Sequence, residues 1–445
     1  MKLIRATAAW IFTLLCILPA EHSARATVAR FPATSISSAD GLRLTTQSDD
    51  DAALTGVQIF VSAGLAHQTR TTNGAAALAA ECIVRTPVSA SLAQSSIPMP
   101  VREAIEARGG SVTYSVDERT VHYYLESTPD RMPEVLKLFE GALAHPDFSG
   151  AAVAAARRTL DNRIAESEKN PFEVGVQMFR ESFLQSGTAY PQYGTLATLE
   201  SLGGSQVRAF YATTYRRGGM SVSMTGRVTP EIVAAVGRLA ESLPSGAVAP
   251  LHVTVQPVPA STKRIIAQRD VARPFIIVGF GAPSPSDHDF GAMLVLEALL
   301  SSAFERSSAT TLALGERSVG AVYFYDSAPA SLVVYVNGGT GIDPTVALRE
   351  VVLVAKSLAT RPLGSDALKR FKAAATGEFV RSATTLYDRA YLIGMLASTS
   401  LGERGLNGAL DAIDHASSAD VQRVAKTYLQ RYIVALIVPR QAQQE

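Results

Sequence analysis

The chain has 445 residues, 47% of them hydrophobic and 18% charged, a balance that suits packed globular domains and excludes a disordered polyelectrolyte. That length is more than one ordinary core organises, so two or three domains are expected. With 41 basic against 40 acidic residues the net charge is +1, and no basic stripe argues for a nucleic-acid partner.

The N-terminus reads as an export signal over residues 1–26. Lys2 and Arg5 form a basic start, Ala6 to Leu18 an apolar run, and Ala24-Arg25-Ala26 an A-x-A cleavage site. The apolar run falls short of the roughly 20 residues that a membrane span needs, so stable insertion is not expected. A periplasmic or extracellular location is. Cleavage would remove Lys2, Arg5, Arg25 and Glu21, leaving 38 basic and 39 acidic residues and a net charge of −1. It would also remove Cys16, so Cys82 has no intramolecular disulfide partner and reads as a small buried hydrophobe.

Beyond the signal, Gly41–Thr46 and Gly56–Ser62 alternate like strands, and an alanine-rich helix is expected over about 73–85. A Ser/Pro-rich loop (89–100) leads to a short helix from Val101 to Ala107, closed by Gly109-Gly110. The β-branched and aromatic runs Ser111–Val116 and Thr120–Leu125 predict a hairpin turning at 117–119. Helices follow at about 130–144, 150–168 and 172–186, the last opened by Asn170-Pro171. A helix over 204–214, a strand over 220–225 and a helix over 230–243 complete the first half. Residues 245–262 are proline-rich and read as a linker.

The second half repeats the first. Arg273–Gly281 answers the strand at 56–64, a helix at 288–303 answers the alanine-rich one, and 319–325 with 331–337 form a hairpin. Helices at 343–360 and 365–380, the segments 386–400 and 418–429, and a strand at 432–438 continue the pattern. The expected architecture is α+β: two copies of an α/β-roll domain, each a mostly antiparallel sheet covered by helices, at 27–244 and 263–445.

Several phrases stand in one order: Gly64…Asn73-Gly74; the Gly109-Gly110 hairpin with Thr113 and Tyr114; Asn170-Pro171; Tyr190–Thr195; and Phe210–Tyr215. Together they resemble the pitrilysin, insulinase and mitochondrial processing peptidase family, the inverzincins, over about residues 37–440. The resemblance implies two homologous domains forming half of a clamshell. Active members carry H-x-x-E-H on the helix after Asn-Gly: two histidines bind zinc and the glutamate activates water. Aligned on Asn73-Gly74, those positions are Ala77, Ala80 and Glu81, and the family's later glutamate ligand falls on Arg163. A guanidinium has no lone pair to give a metal. A second register starting at His67 also lacks the glutamate and the second histidine. No metal site and no hydrolysis by this chain alone are therefore expected; zinc belongs to a partner. Positions equivalent to two ligands of one ion lie close together, so Glu81 and Arg163 are candidates for a salt bridge.

The resemblance further implies a zinc-free subunit that pairs with an H-x-x-E-H subunit and holds a peptide substrate. The family's substrate-contacting arginine and tyrosine fall on Arg317 and Tyr323, with Arg306 a rival for the former. Arg317 would bond a peptide carbonyl and Tyr323 a developing oxyanion. The alternative is a metal-free binding or structural protein of the same fold. Other features are weaker. His122 reads as a packed strand residue, the remaining histidines are scattered, and Gly338–Gly341 lacks the lysine of a phosphate loop. Tyr387 and Tyr391 either face the chamber or pack between helices.

Overall fold

A computed structural model describes residues 30–39, 41–93, 96–184, 189–249, 258–306, 318–337 and 344–440. The export-signal segment, residues 250–257 of the expected linker, Arg317 and Gly338–Gly341 lie outside the described residues. None of the described helices is long and apolar enough to cross a membrane.

The first half opens with β1 (Ser35–Ala39), β2 (Leu42–Ser48), β3 (Thr55–Val61) and α1 (Ala75–Arg85). Next come β4 (Pro87–Val88), α2 (Ala90–Ala93), β5 (Met99–Pro100), α3 (Val101–Glu106), β6 (Ser111–Val116) and β7 (Val121–Ser127). Helices α4 (Met132–Ala144), α5 (Gly150–Lys169), α6 (Pro171–Phe183), α7 (Leu196–Ser201) and α8 (Gly204–Thr214) precede β8 (Met220–Gly226) and α9 (Pro230–Glu241). The second half runs β9 (Lys263–Arg269), β10 (Phe275–Gly281), α10 (Phe290–Arg306), β11 (Ser318–Phe324) and β12 (Ser331–Asn337). It ends with α11 (Pro344–Thr360), α12 (Ser365–Arg381), α13 (Leu386–Leu396), α14 (Gly405–His415), α15 (Ser418–Tyr428) and β13 (Ile433–Pro439).

The two large sheets share one topology. The first is ordered β1-β2-β8-β3-β7-β6 and the second β11-β12-β10-β13-β9. Written from the other edge, the second reads β9-β13-β10-β12-β11, which matches β2-β8-β3-β7-β6 strand for strand. Each has a single parallel pair, β2 with β8 and β9 with β13; the other pairs are antiparallel. This is the α+β duplication that the sequence predicts.

Each central strand is buried along its whole length, and the reason is an exchange of helices. On β3, Val57, Ile59 and Val61 join the first half's core, while Phe60 on the opposite face meets Gly394 of α13, a second-half helix. Conversely α6, a first-half helix, lies on β10 and β13. Phe179 and Phe183 enter a cluster with Ile277, Ala435 and Ile437. Both seats need a missing side chain: a Cβ on Gly279 would meet the Phe179 ring at 2.2 Å, and one on Gly394 would meet Phe60 at 2.4 Å. Strands covered on both faces read as continuous apolar runs, which explains Phe275–Gly281. The halves are thus clasped reciprocally, and residues 32–445 form one compact unit.

Candidate functional site

Helix α1 sits at the centre of the first half with every residue from Ala75 to Val84 buried. Its six opening residues include five alanines, whose methyl groups let the neighbouring helices α5 and α8 and strand β6 approach closely. Its N-terminus is held by Gln68, whose Oε1 accepts from the backbone N–H groups of Gly74 (2.9 Å) and Ala76 (3.0 Å). Gly74 adopts φ +98°, and a Cβ there would meet Leu199 at 2.6 Å, so the Asn-Gly approach to this helix has a steric basis.

Glu81 is the only acidic residue on α1 and is fully buried. Arg163 of α5 reaches it at 3.8 Å, so the ion pair expected between these two positions is present. Two further arginines join it: Arg85, one turn along α1, at 3.7 Å and Arg102 of α3 at 3.8 Å. Arg163 also stacks on aromatic rings, its guanidinium carbon 4.9 Å from the centre of Tyr114 and 5.6 Å from that of Tyr193. None of the three contacts is short enough to be a direct hydrogen bond, so neither carboxylate oxygen of Glu81 accepts one from the arginines. Burial, followed by the Glu81 charge, pushes the Tyr114 phenol well above its ordinary range.

These residues do not fit zinc. Ala77 and Ala80 present methyl groups, Arg163 brings a fixed cation, and the one possible donor, Glu81, faces three guanidiniums. His67 lies in a 3-10 turn ahead of the helix rather than one turn from a second ligand, so the alternative register places no metal pair either. Cys82, next to Glu81, is no substitute. Burial, then the charges of Glu81 and Asp147, push its thiol up to about 12.

Tyr323 does not occupy a substrate-facing position. Its ring is buried beside Phe290 and Tyr325, and its hydroxyl donates to the carbonyl of Pro283. Strand β11 points this side chain into the second-half core, because Tyr323 shares its face with the residues that meet α10. The expected oxyanion role therefore lacks both exposure and a free hydroxyl. Its backbone N–H donates to Glu297 at 2.8 Å, whose carboxyl is raised to about 7 chiefly by burial.

A cleft of about 780 Å³ lies between the halves. Its walls come from the C-terminal ends of β6 and α5, the exposed side of α6, the 191–196 loop, and Phe324, Asp326, Ser327, Tyr387 and Tyr391 of the second half. Tyr387 and Tyr391 thus face the chamber, and Tyr391 donates to Asp326 at 2.9 Å. Asp117 closes the β6–β7 turn by accepting from the N–H groups of Arg119 (2.9 Å) and Thr120 (2.6 Å). Burial dominates those bonds and raises its carboxyl to about 6. Glu118 pairs with Arg180 of α6. His122 is a packed strand residue as expected, buried and bonded through Nδ1 to Gln58 at 2.6 Å, yet its edge also reaches the cleft. Burial drops its imidazole to about 4.

Elsewhere, Asp287, His288 and Asp289 place three potential ligand atoms within 4.8 Å of one another. Arg423 pairs with Asp289 directly, so a cation already sits on that cluster.

Residues 43–191 match the family described as insulinase (peptidase family M16), and residues 201–340 match the family described as peptidase M16 inactive domain. Over 145 residues the chain is 24% identical to a protein of Arabidopsis thaliana named probable mitochondrial-processing peptidase subunit alpha-1, mitochondrial. That match spans 33% of this chain and 29% of the relative's length. Among solved structures, a protease from Helicobacter pylori superposes with a TM-score of 0.80 at 14% identity, over 92% of this chain and 100% of that one. The peptidase M16 inactive domain from Pseudomonas fluorescens gives 0.77 at 14% identity, over 93% and 100%. At such identity these likenesses speak for the fold alone. With both halves of the chain matched by M16 profiles, this protein belongs to the M16, or insulinase, family of peptidases.

Proposed function

We propose that this chain is the non-catalytic, peptide-binding subunit of a two-chain exported M16 peptidase, whose partner carries H-x-x-E-H and the zinc. The observation that carries this reading is the arginine-ringed Glu81 standing where the resemblance puts a metal, next to a 780 Å³ cleft. A chain that keeps the family's paired domains and cleft but cannot hold zinc retains the means to bind and enclose a peptide. The likeness to a protein named as a subunit supports a partnered role, and the N-terminal Lys2–Ala26 pattern supports export to the periplasm or the extracellular space. Arg317 remains the candidate for a second contact to the peptide backbone.

The test is purification of the tagged chain from its own cells, with identification of what accompanies it. The expected result is an equimolar M16 chain carrying H-x-x-E-H, with chelator-sensitive peptide cleavage by the pair and none by either chain alone. Recovery of this chain as a self-associated protein, with no M16 partner and no cleavage, would overturn the reading in favour of a metal-free binding protein.

A further inference from the structure

We propose that the ring of Arg85, Arg102 and Arg163 binds a carboxylate of the enclosed peptide, turning the lost metal site into an anion subsite. The proposal rests on the peptide-binding reading and names the chemistry that the peptide presents. Charge comes first. Three guanidiniums surround one carboxylate, which leaves a surplus of two positive charges, and among the described residues Glu81 is the only acidic partner of the three. Hydrogen bonding comes second. At 3.7–3.8 Å Glu81 neutralises part of this charge without accepting a hydrogen bond from the guanidiniums, and among the described residues no other carboxylate pairs with them.

The Tyr114 phenol lies at the same point, where burial and then Glu81 push it above its ordinary range. Glu81 is the one negatively charged acceptor among these donors, and it offsets only one of the three positive charges. Water would supply a second acceptor but not the charge. A carboxylate supplies both, and its two oxygens suit the planar fork of arginine.

Access is the third argument. The arginine side chains are 28–39% exposed, unlike the wholly buried Glu81. Arg163 stacks on Tyr193, which itself lines the cleft together with Ile164, the next residue of α5. None of the three arginines lines the cleft itself; Arg163 borders it through Tyr193 and Ile164, the side from which a peptide end or an acidic side chain would approach the ring.

The experiment measures binding of three fluorescein-labelled decapeptides to the purified protein by anisotropy: one with a free C-terminal carboxylate, the same peptide amidated, and an amidated version with one internal glutamate. N-acetylalanine and its methylamide serve as small probes in calorimetry. The expected result is at least roughly tenfold tighter binding of a carboxylate-bearing probe than of its neutral twin, as one charge-assisted contact provides. That preference should be lost in Arg102→Gln and in Arg163→Gln, and kept in Arg131→Gln, an exposed arginine elsewhere. A preference confined to the free acid identifies the peptide C-terminus; an equal preference for the glutamate peptide identifies an acidic side chain. Equal binding of all three peptides, unaffected by the arginine variants, overturns the subsite and leaves peptide binding standing. Arginine-dependent binding of N-acetylalanine with no peptide bound upholds the subsite and removes the peptide reading. No binding of any probe removes both.

Discussion

Replacing Glu81 by glutamine keeps the size of the side chain and removes the only negative charge among three arginines. Each Arg–Glu contact at about 3.8 Å has a gross attraction of roughly 4 kcal/mol at an effective dielectric constant of about 20. Water screens the arginines, which are 28–39% exposed, while Glu81 itself is wholly buried. Losing the partner of a buried charge typically costs about 3–5 kcal/mol. Partial exposure of the cations lowers the expectation here to about 2–4 kcal/mol. The assay is urea unfolding followed by circular dichroism at neutral pH, with the slope compared between variants so that a changed denatured state is not mistaken for lost stability. The sign of the coupling discriminates further. Once Glu81 is neutral, the three guanidiniums repel one another, so adding Arg163→Gln should recover at least about 1 kcal/mol rather than add a second loss. A Glu81→Gln change of less than about 1 kcal/mol, or a double variant less stable than the single one, would refute the account of Glu81 as the keystone of the ring.

Other expectations follow from single side chains. Tyr323→Phe should destabilise the protein by about 1–2 kcal/mol, because it strands the buried carbonyl of Pro283; denaturant unfolding measures this, and an unchanged midpoint would argue against that bond. Cys82 should resist a maleimide at pH 8 in the folded protein and react only on unfolding, since its thiol is pushed up to about 12; rapid labelling of the native chain would contradict the burial. Glu297, raised to about 7, binds a proton in the folded state that it releases above about pH 4.5 when unfolded, so its contribution to stability declines as pH rises from about 4.5 to 7. Glu297→Gln should flatten that decline and stabilise the protein by about 1–3 kcal/mol at pH 8. Parallel stability–pH curves for the two proteins would show that Glu297 is not the group responsible.

Much of the fold is legible along the chain because its landmarks are local. Asn170-Pro171 starts a helix by giving the fixed ring of proline the first helical position while the Asn170 side chain accepts from the N–H of Phe172. The hairpin of β6 and β7 follows from its alternating branched and aromatic residues, and the duplication follows from the order of such landmarks. What periodicity does not carry is the partner of an apolar face. Nothing in Pro171–Phe183 says that Phe179 packs on Gly279 of the other half, and nothing in Leu386–Leu396 says that Gly394 lies on Phe60. Those pairings are decided by which sheet face is left open, a property of the whole domain.

The site divides along the same line. Arg163 could be placed opposite Glu81 because two ligands of one ion share a location, and Arg85 had a local signal in its i, i+4 spacing from Glu81. Arg102 had none, since α3 reaches the ring only through tertiary packing. Tyr323 misses the cleft for a comparable reason. Strand alternation gives two faces, and an aromatic residue suits either; the fold turns this one toward Phe290 and gives the chamber Tyr387 and Tyr391 instead.

Arginines in place of the metal that the resemblance puts there would change less of the local electrostatics than the residue types suggest. A zinc ion held by two neutral imidazoles and one carboxylate leaves a local charge of about +1. One carboxylate among three guanidiniums leaves +2. Both arrangements keep positive charge at the junction of α1 and α5, and both hold a carboxylate in a place where it could not stand alone. What differs is the way each can act on a ligand. A metal has an open coordination position that polarises a carbonyl and activates water. Guanidiniums stay protonated and offer only donors, so they can attract and orient an anion but cannot generate a nucleophile.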